Sequence, residues 1–437
     1  MPRKPSRRRV LASVAGAGAT ALAGCLGLFD EDPPGVENEI PTPSRDFSPV
    51  EDWSAPTDVP AFDPSTTALV ENLEVPWDIS VARNGDLFVT ERVGRVRRFS
   101  GGDLQDVLAP DDAIDAGSVP AGHDQQPWWV DGGEGGTLGI AVHPDHPDVP
   151  YIFVYYTADG DEKVNRVSRF DVSADDPAET EEVLIDDIPA GKIHNGGRLE
   201  FGPRGDLWVT TGEAGDGSLS ADPQSLAGKI LRIDVNGEPS PDNPDVGDAD
   251  PRMYSYGHRN PQSVVWLPDG TVLTNEHGPK GHDEVMRPVA GADHGWPSVR
   301  TGEGYRDADG VQPPLANTGN DTWAPSGAVF YTGDAVPSWQ NRMVIGCLIS
   351  QQVMVATVTP QGDELPPVKW GQRFDADWLD DSYTLSAHPA LQNELGRVRH
   401  LEQGLDGELY AITSNRDGRA SDGFPTERDD VLVRIEG

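Results

Sequence analysis

From about residue 66 onward the apolar positions follow one recurring order: a short apolar run, a polar turn holding Gly or Asp, then a second apolar run. The first clear copy is Trp77-Asp78-Ile79-Ser80-Val81, turn Asn84-Gly85-Asp86, Leu87-Phe88-Val89-Thr90. Further copies are Arg198 to Phe201 with Leu207 to Thr210, Ser263 to Trp266 with Val272 to Thr274, and Val398 to Leu401 with Leu409 to Ile412. Two looser copies pair Leu138–Val142 with Tyr151–Tyr155, and Ala328–Tyr331 with Met343–Ile345. Each run has the length and flanking turn residues of a strand, and no convincing amphipathic helix interrupts the series. The turns fall near 85, 148, 205, 270, 338 and 407. That spacing predicts an all-β, six-bladed β-propeller of four-stranded blades with long loops. A β-sandwich of similar strand count is the structural rival.

In a propeller the first strand of each blade lines the axis. Its start and the end of its antiparallel partner share one rim. Before the first strands stand Glu134-Gly135-Gly136, His194-Asn195-Gly196-Gly197, Arg259-Asn260-Pro261, Thr322-Trp323-Ala324-Pro325 and Gly396-Arg397-Val398-Arg399. After the second strands stand Glu91-Arg92, Glu213 and Glu276-His277-Gly278-Pro279. Imidazole, several Arg and several carboxylates thus converge from separate blades. Such a set binds an anionic organic ligand with a base beside it. Arg397 and Arg399, two apart on one strand, point to one face, which suits clamping carboxylates or pairing with this chain's many acids. Glu213 stands where it would orient the His194 imidazole, or is simply a surface acid.

The N-terminus reads as an address. Arg3, Lys4, Arg7, Arg8 and Arg9 precede a small apolar run from Val10 to Leu22, closed by Leu22-Ala23-Gly24-Cys25. Residues 1–25 resemble a twin-arginine export signal ending in a lipobox, with Cys25 as the lipidated residue. The expected location is extracytoplasmic, with the membrane reached through a lipid anchor at Cys25. A simple anchor helix is the alternative, although the run is short for a transmembrane span. Residues 26–65 are acidic and Pro-rich and read as a solvated tether, leaving 66–437 as the propeller.

Charge narrows the partners. The 437 residues carry 34 Lys plus Arg against 73 Asp plus Glu, a net charge of −39. Nucleic acid is excluded as a partner, because polyanions repel. Only six lysines occur (Lys4, Lys163, Lys192, Lys229, Lys280 and Lys369), so the surface is mostly carboxylate, as in adaptation to high salt. Cys25 and Cys347, the two cysteines, build neither a disulfide framework nor a zinc cluster.

With these residues in view, residues 68–436 resemble the soluble quinoprotein glucose dehydrogenase and aldose sugar dehydrogenase family. The resemblance rests on Gly133-Glu134-Gly135-Gly136-Thr137-Leu138-Gly139, Ile193 to Leu199, Glu276-His277-Gly278-Pro279 with Asp283-Glu284, Gly295-Trp296-Pro297 and Ala324 to Gly327. Its most specific block is Tyr254-Ser255-Tyr256-Gly257-His258-Arg259-Asn260-Pro261-Gln262. The family consists of six-bladed propellers using pyrroloquinoline quinone (PQQ) and calcium.

The resemblance implies oxidation of an aldose sugar at its anomeric carbon to the lactone, with electrons passing to an external acceptor, since no haem-attachment Cys pair exists. It implies His194 as general base and Arg259 over the quinone carbonyls. It implies Asn260, Thr322, Arg397 and Arg399 as further cofactor contacts, and Glu134 with His194 near the sugar. Gly278 and Pro279 would offer backbone oxygens to calcium, while Asp283 and Glu284 would serve that site or a second, structural calcium. Two positions depart from the pattern: Ile349 stands where the family has a quinone-binding Lys, and Asp293-His294 where it has Asn-Tyr. Two other classes stay open, a calcium-dependent lactonase-type hydrolase and a noncatalytic sugar-binding lipoprotein.

Overall fold

The computed structural model describes residues 38–43, 47–114, 133–421 and 423–437. Cys25 and the export signal lie outside the described residues. The described residues form six antiparallel sheets in succession, five of them with four strands and one with five. Within blades 1 to 4 the strands follow chain order outward from the axis. Blade 1 runs Pro76–Val81, Leu87–Glu91, Arg95–Ser100, Asp103–Leu108. Blade 2 runs Thr137–Val142, Tyr151–Ala158, Val164–Asp171, Glu182–Pro189. Blade 3 runs Leu199–Phe201, Leu207–Thr210, Lys229–Ile233, Met253–Tyr256. Blade 4 runs Val265–Trp266, Val272–Glu276, Glu284–Met286, Ala316–Asn317. Blade 5 begins with Pro325–Tyr331 and Arg342–Cys347, and Gln372–Phe374 forms its outer edge. The six-bladed propeller expected from the turn spacing is therefore the observed fold.

Blade 6 closes the ring with strands from both ends of the chain. Val398–Gln403, Leu409–Thr413 and Leu432–Glu436 pair in order, and Ser65–Val70 adds the fourth strand against Leu432–Glu436. This pairing satisfies edge hydrogen bonds that the last blade would otherwise expose. The apolar faces of neighbouring sheets pack together, as where Phe153 and Leu138 of blade 2 meet Leu207 and Leu231 of blade 3. At the axis, Arg198 of blade 3 pairs with Asp78 of blade 1, and His400 of blade 6 lies 3.4 Å from the same carboxylate. Burial pushes the Asp78 carboxyl up to about 7 against the pull of Arg198.

The stretch read as a solvated tether is docked from residue 38 onward, over its described part. Ile40 is buried and exchanges backbone hydrogen bonds with the Asn236 amide of blade 3. Pro41 O meets His143 of blade 2, Trp53 Nε1 donates to Asp269 of blade 4, and Arg342 of blade 5 pairs with Asp58. All these partners sit at the rim opposite His194, so the described residues 38–43 and 47–64 strap four blades along the far face. Proline suits an extended strap as well as a free tether; apolar residues that find buried or half-buried sites, such as Ile40, Trp53 and Ala55, distinguish them.

Candidate active site

Antiparallel pairing in blade 3 brings His194, ahead of Leu199–Phe201, to the end of Leu207–Thr210, where Glu213 follows. His194 Nδ1 lies 2.6 Å from Glu213 Oε1. The other oxygen, Oε2, accepts from Trp296 Nε1 at 2.7 Å. Burial raises the Glu213 carboxyl, but the hydrogen bonds from His194 and Trp296 outweigh it and hold the group below its ordinary range. An ionised carboxylate only accepts, so a neutral His194 must carry its proton on Nδ1 and leave the Nε2 lone pair available. No hydrogen bond engages Nε2 among the described residues.

The backbone here is held in a costly conformation. His194 has φ 61°, the left-handed region. Its N–H donates to Glu134 Oε2 at 2.8 Å and its carbonyl accepts from Ala214 N at 3.0 Å, which fixes the residue from both sides. Gly196 also has φ 61°, and a Cβ there would fall 2.5 Å from Gly212 N, so this loop seats against blade 3 only with glycine.

Glu134, Asn260 and Arg399 line a cavity at the mouth of the axis together with Arg92, Asp417 and Arg419. Trp77, Asn195, His277 and Leu348 form more of its wall. Arg397 donates to Asp417 Oδ2 through Nε at 3.1 Å and Nη2 at 2.7 Å. Arg399 Nη2 is 3.7 Å from the same oxygen, and its buried Nε has no partner. Burial lowers Arg399 to about 9 and Arg92 to about 10, with Asp417 opposing in both cases. Arg419 Nη1 meets Glu134 Oε1 at 2.8 Å. Although Glu134 is buried, Arg419 and the His194 N–H hold its carboxyl at about 2. Among the described residues Arg397, Arg399 and Arg419 face the carboxylates of Asp417 and Glu134 while Arg92 donates to Gly133 O and Gly135 O, and this cluster of four guanidinium groups suits a ligand bearing several anionic groups.

Arg259 sits between the base pair and a second, smaller cavity that it lines with Glu276, Gly278, Pro279 and Trp296. Its carbonyl accepts from Glu213 N at 2.9 Å and its Nη1 donates to His277 O at 2.8 Å. Its guanidinium carbon lies 5.3 Å from the centre of the Trp296 ring, and its buried Nε has no partner. Asn260 lines the axial cavity while its Oδ1 accepts from Gly196 N at 3.0 Å, joining blades 3 and 4.

Other expected residues are placed differently. Thr322, expected as a cofactor contact, is half-buried and lines neither cavity. The adjoining N–H groups of Trp323 and Ala324 donate to Asp283 at 2.7 and 2.8 Å and draw this loop toward blade 4. Glu134, expected beside the sugar, reaches the cavity with both oxygens already engaged by His194 N and Arg419. Asp283 also accepts from Gly278 N, and Glu284 accepts from Tyr305 and Asn317, so both acids hold the fold together. Gly278 and Pro279 border the second cavity, and neither carbonyl accepts a hydrogen bond among the described residues. No cluster of three or more His, Cys, Asp or Glu able to hold a metal occurs among the described residues. Ile349 is 59% exposed, and its neighbour Leu348 lines the axial cavity instead. Cys347 is free and buried. Asp293 accepts from Gly295 N, and His294 stacks on His258 with ring centres 4.5 Å apart.

Sequence reasoning missed Arg419 and Asp417, which lie on the irregular loop after Leu409–Thr413, where no strand period signals orientation. It also assigned no role to Trp296, visible only as part of Gly295-Trp296-Pro297.

The chain is similar to known proteins along most of its length. Aldose sugar dehydrogenase of Escherichia coli (strain K12) is 28% identical over 384 residues, 84% of this chain and 93% of that protein. Quinoprotein glucose dehydrogenase B of Acinetobacter calcoaceticus is 26% identical over 272 residues, 55% of this chain and 53% of its own length. The PQQ-bound aldose sugar dehydrogenase of Streptomyces coelicolor superposes with a TM-score of 0.67 at 27% identity, covering 86% of this chain and 99% of that one. The sequence pattern of the Glucose / Sorbosone dehydrogenase family matches residues 73–422. On that match, which spans five complete blades and two of the four strands of the sixth, this chain belongs to the Glucose / Sorbosone dehydrogenase family.

Proposed function

We propose that this protein is a PQQ- and calcium-dependent dehydrogenase that oxidises an aldose at its anomeric carbon to the lactone, with His194 as general base. The observation that carries this reading is the His194–Glu213 pair at 2.6 Å, set at the same propeller mouth as the arginine-rich cavity.

The residues present fit the quinone. Arg399, with its partnerless Nε, Arg92 and Arg419 would hold the cofactor's carboxylates, with Arg397 supporting them through Asp417. The Trp77 ring, with guanidinium groups of Arg198 and Arg399 at 4.3 and 6.0 Å, adds a flat wall for a planar ligand. Calcium would take the Gly278 and Pro279 carbonyls, hard oxygen donors left without a hydrogen bond. When bound, the quinone supplies the hydride acceptor that no side chain can provide.

The chain supplies the acid–base and electrostatic work. His194 Nε2 accepts the proton of the anomeric hydroxyl. Glu213 orients the imidazole and stabilises the imidazolium that results. Arg259 stabilises negative charge that develops beside the base pair. The electrons then leave to an external acceptor.

Export by the twin-arginine signal and lipid attachment at Cys25 would place the reaction outside the cytoplasm. No helix of the described residues is long and apolar enough to cross a membrane.

The test uses the chain from residue 26 onward in molar salt, supplied with calcium and PQQ and offered a panel of aldoses with an artificial dye. Quinone-dependent dye reduction is expected, and His194→Ala should abolish it while still binding the quinone. Sugar binding with no quinone uptake would overturn the reading in favour of a noncatalytic lipoprotein. Near-normal turnover in His194→Ala would remove the base.

A further inference from the structure

We propose that Trp296 is a positioning residue that sets both the base pair and Arg259, a role that rests on the sugar-oxidation reading above. Its indole N–H donates to Glu213 Oε2 at 2.7 Å while the opposite carboxylate oxygen holds His194 Nδ1 at 2.6 Å. A carboxylate held by one oxygen pivots about its own axis; held by both, it fixes the plane of the imidazole it touches. The same indole presents its face to Arg259, at 5.3 Å, and to Arg300, at 4.7 Å. One side chain therefore orients the carboxylate by its edge and a guanidinium by its ring.

Trp296 itself is anchored independently of that pair. Its backbone N–H donates to Gly257 O at 3.0 Å, and its carbonyl accepts from Ser220 Oγ at 3.0 Å. It is half-buried and joins no buried hydrophobic cluster among the described residues, and its indole meets the charged groups of Glu213, Arg259 and Arg300. The fit around the contact is close. Gly217 stands where an added Cβ would come 3.1 Å from Glu213 Oε2 and 2.9 Å from Pro297 Cβ.

The experiment compares Trp296→Phe, which keeps an aromatic face for Arg259 and removes the indole N–H, with Glu213→Gln and the double variant. Loss of a hydrogen bond to a charged group predicts a kcat lower by about 10- to 100-fold, with the sugar KM within about two-fold. In the double variant, Trp296→Phe should cost nothing beyond Glu213→Gln, because both act through one carboxylate. A second readout needs no cofactor or sugar: the low-field NMR signal of the His194 Nδ1 proton in the apoprotein should vanish in Glu213→Gln and shift in Trp296→Phe. Gly217→Ala, whose added Cβ would meet Pro297 at 2.9 Å and Glu213 Oε2 at 3.1 Å, should reproduce the loss of kcat if Trp296→Phe does not fold. Fully additive losses in the double variant, or an unmoved proton signal with unchanged kcat, would overturn the proposal. An inactive wild type with the predicted proton shifts would instead count against the sugar-oxidation reading and leave the positioning role standing.

Discussion

Glu213 holds the His194 imidazole at 2.6 Å across two ends of blade 3, and this contact determines which imidazole nitrogen is free to accept a proton. Replacing the carboxylate by an amide keeps the shape but removes the obligatory acceptor, so the tautomer is no longer imposed. Glu213→Gln is expected to lower kcat by about 100- to 10,000-fold while leaving quinone affinity within a few-fold. Steady-state dye reduction and a quinone titration check both halves, and an unchanged kcat would make Glu213 a mere acid at the rim.

Arg399 lines the axial cavity with a buried, partnerless Nε, whereas Arg397 is committed to Asp417 through two hydrogen bonds. The two arginines should therefore respond differently. Arg399→Met should weaken quinone binding by about 10- to 100-fold, the worth of a hydrogen bond to a charged group. Arg397→Met leaves Asp417 with less compensation and should lower stability as well. Equal quinone affinity in wild type and Arg399→Met, measured by absorbance titration, would reduce that arginine to an ion-pair partner.

Glu134 carries a pH signature. Its carboxyl is held at about 2 in the fold against 4.5 for an unperturbed group. The unfolded chain therefore binds more protons in that interval, and the contribution of Glu134 to stability is full above about pH 4.5 and is lost as the pH falls toward 2. Glu134→Gln should be less stable than wild type at pH 7, and the gap should close on acidification. Urea melts between pH 3 and pH 7 measure it; a gap that widens in acid would contradict the assignment.

The far-face strap predicts a loss of stability separable from activity. A chain beginning at Asp63 keeps the closing strand Ser65–Val70 but loses buried Ile40 and the Asp58–Arg342 pair. Removing Ile40 alone forfeits about 1.5–3 kcal/mol of apolar burial. The melting temperature should fall by several degrees with kcat unchanged, because every strap contact lies at the rim away from His194.

Salt should act in the opposite direction. With a net charge of −39, the folded chain repels itself, and screening relieves that repulsion. Melting temperature is expected to rise steadily from 0.1 M to 2 M KCl. A flat profile would show that the acids are already compensated by local pairing.

Sequence alone determined the blade count, because a strand–turn–strand unit imposes a local period that survives whatever the loops do. It also placed His194, Glu213, Arg259, Asn260, Arg397 and Arg399 at one rim, because each adjoins a strand whose direction the repeat sets. Tertiary structure decided what depends on closure of the ring and on irregular loops. Ser65–Val70 becomes the outer strand of blade 6 only because the two ends of the chain meet. Arg419 reaches Glu134 across 285 residues, and Trp296 reaches Glu213 across 83. The described part of the Pro-rich segment is a strap because four blades together present the sites that bind it. Local patterns fix local direction; only the packed ring brings loops of distant blades within hydrogen-bonding range.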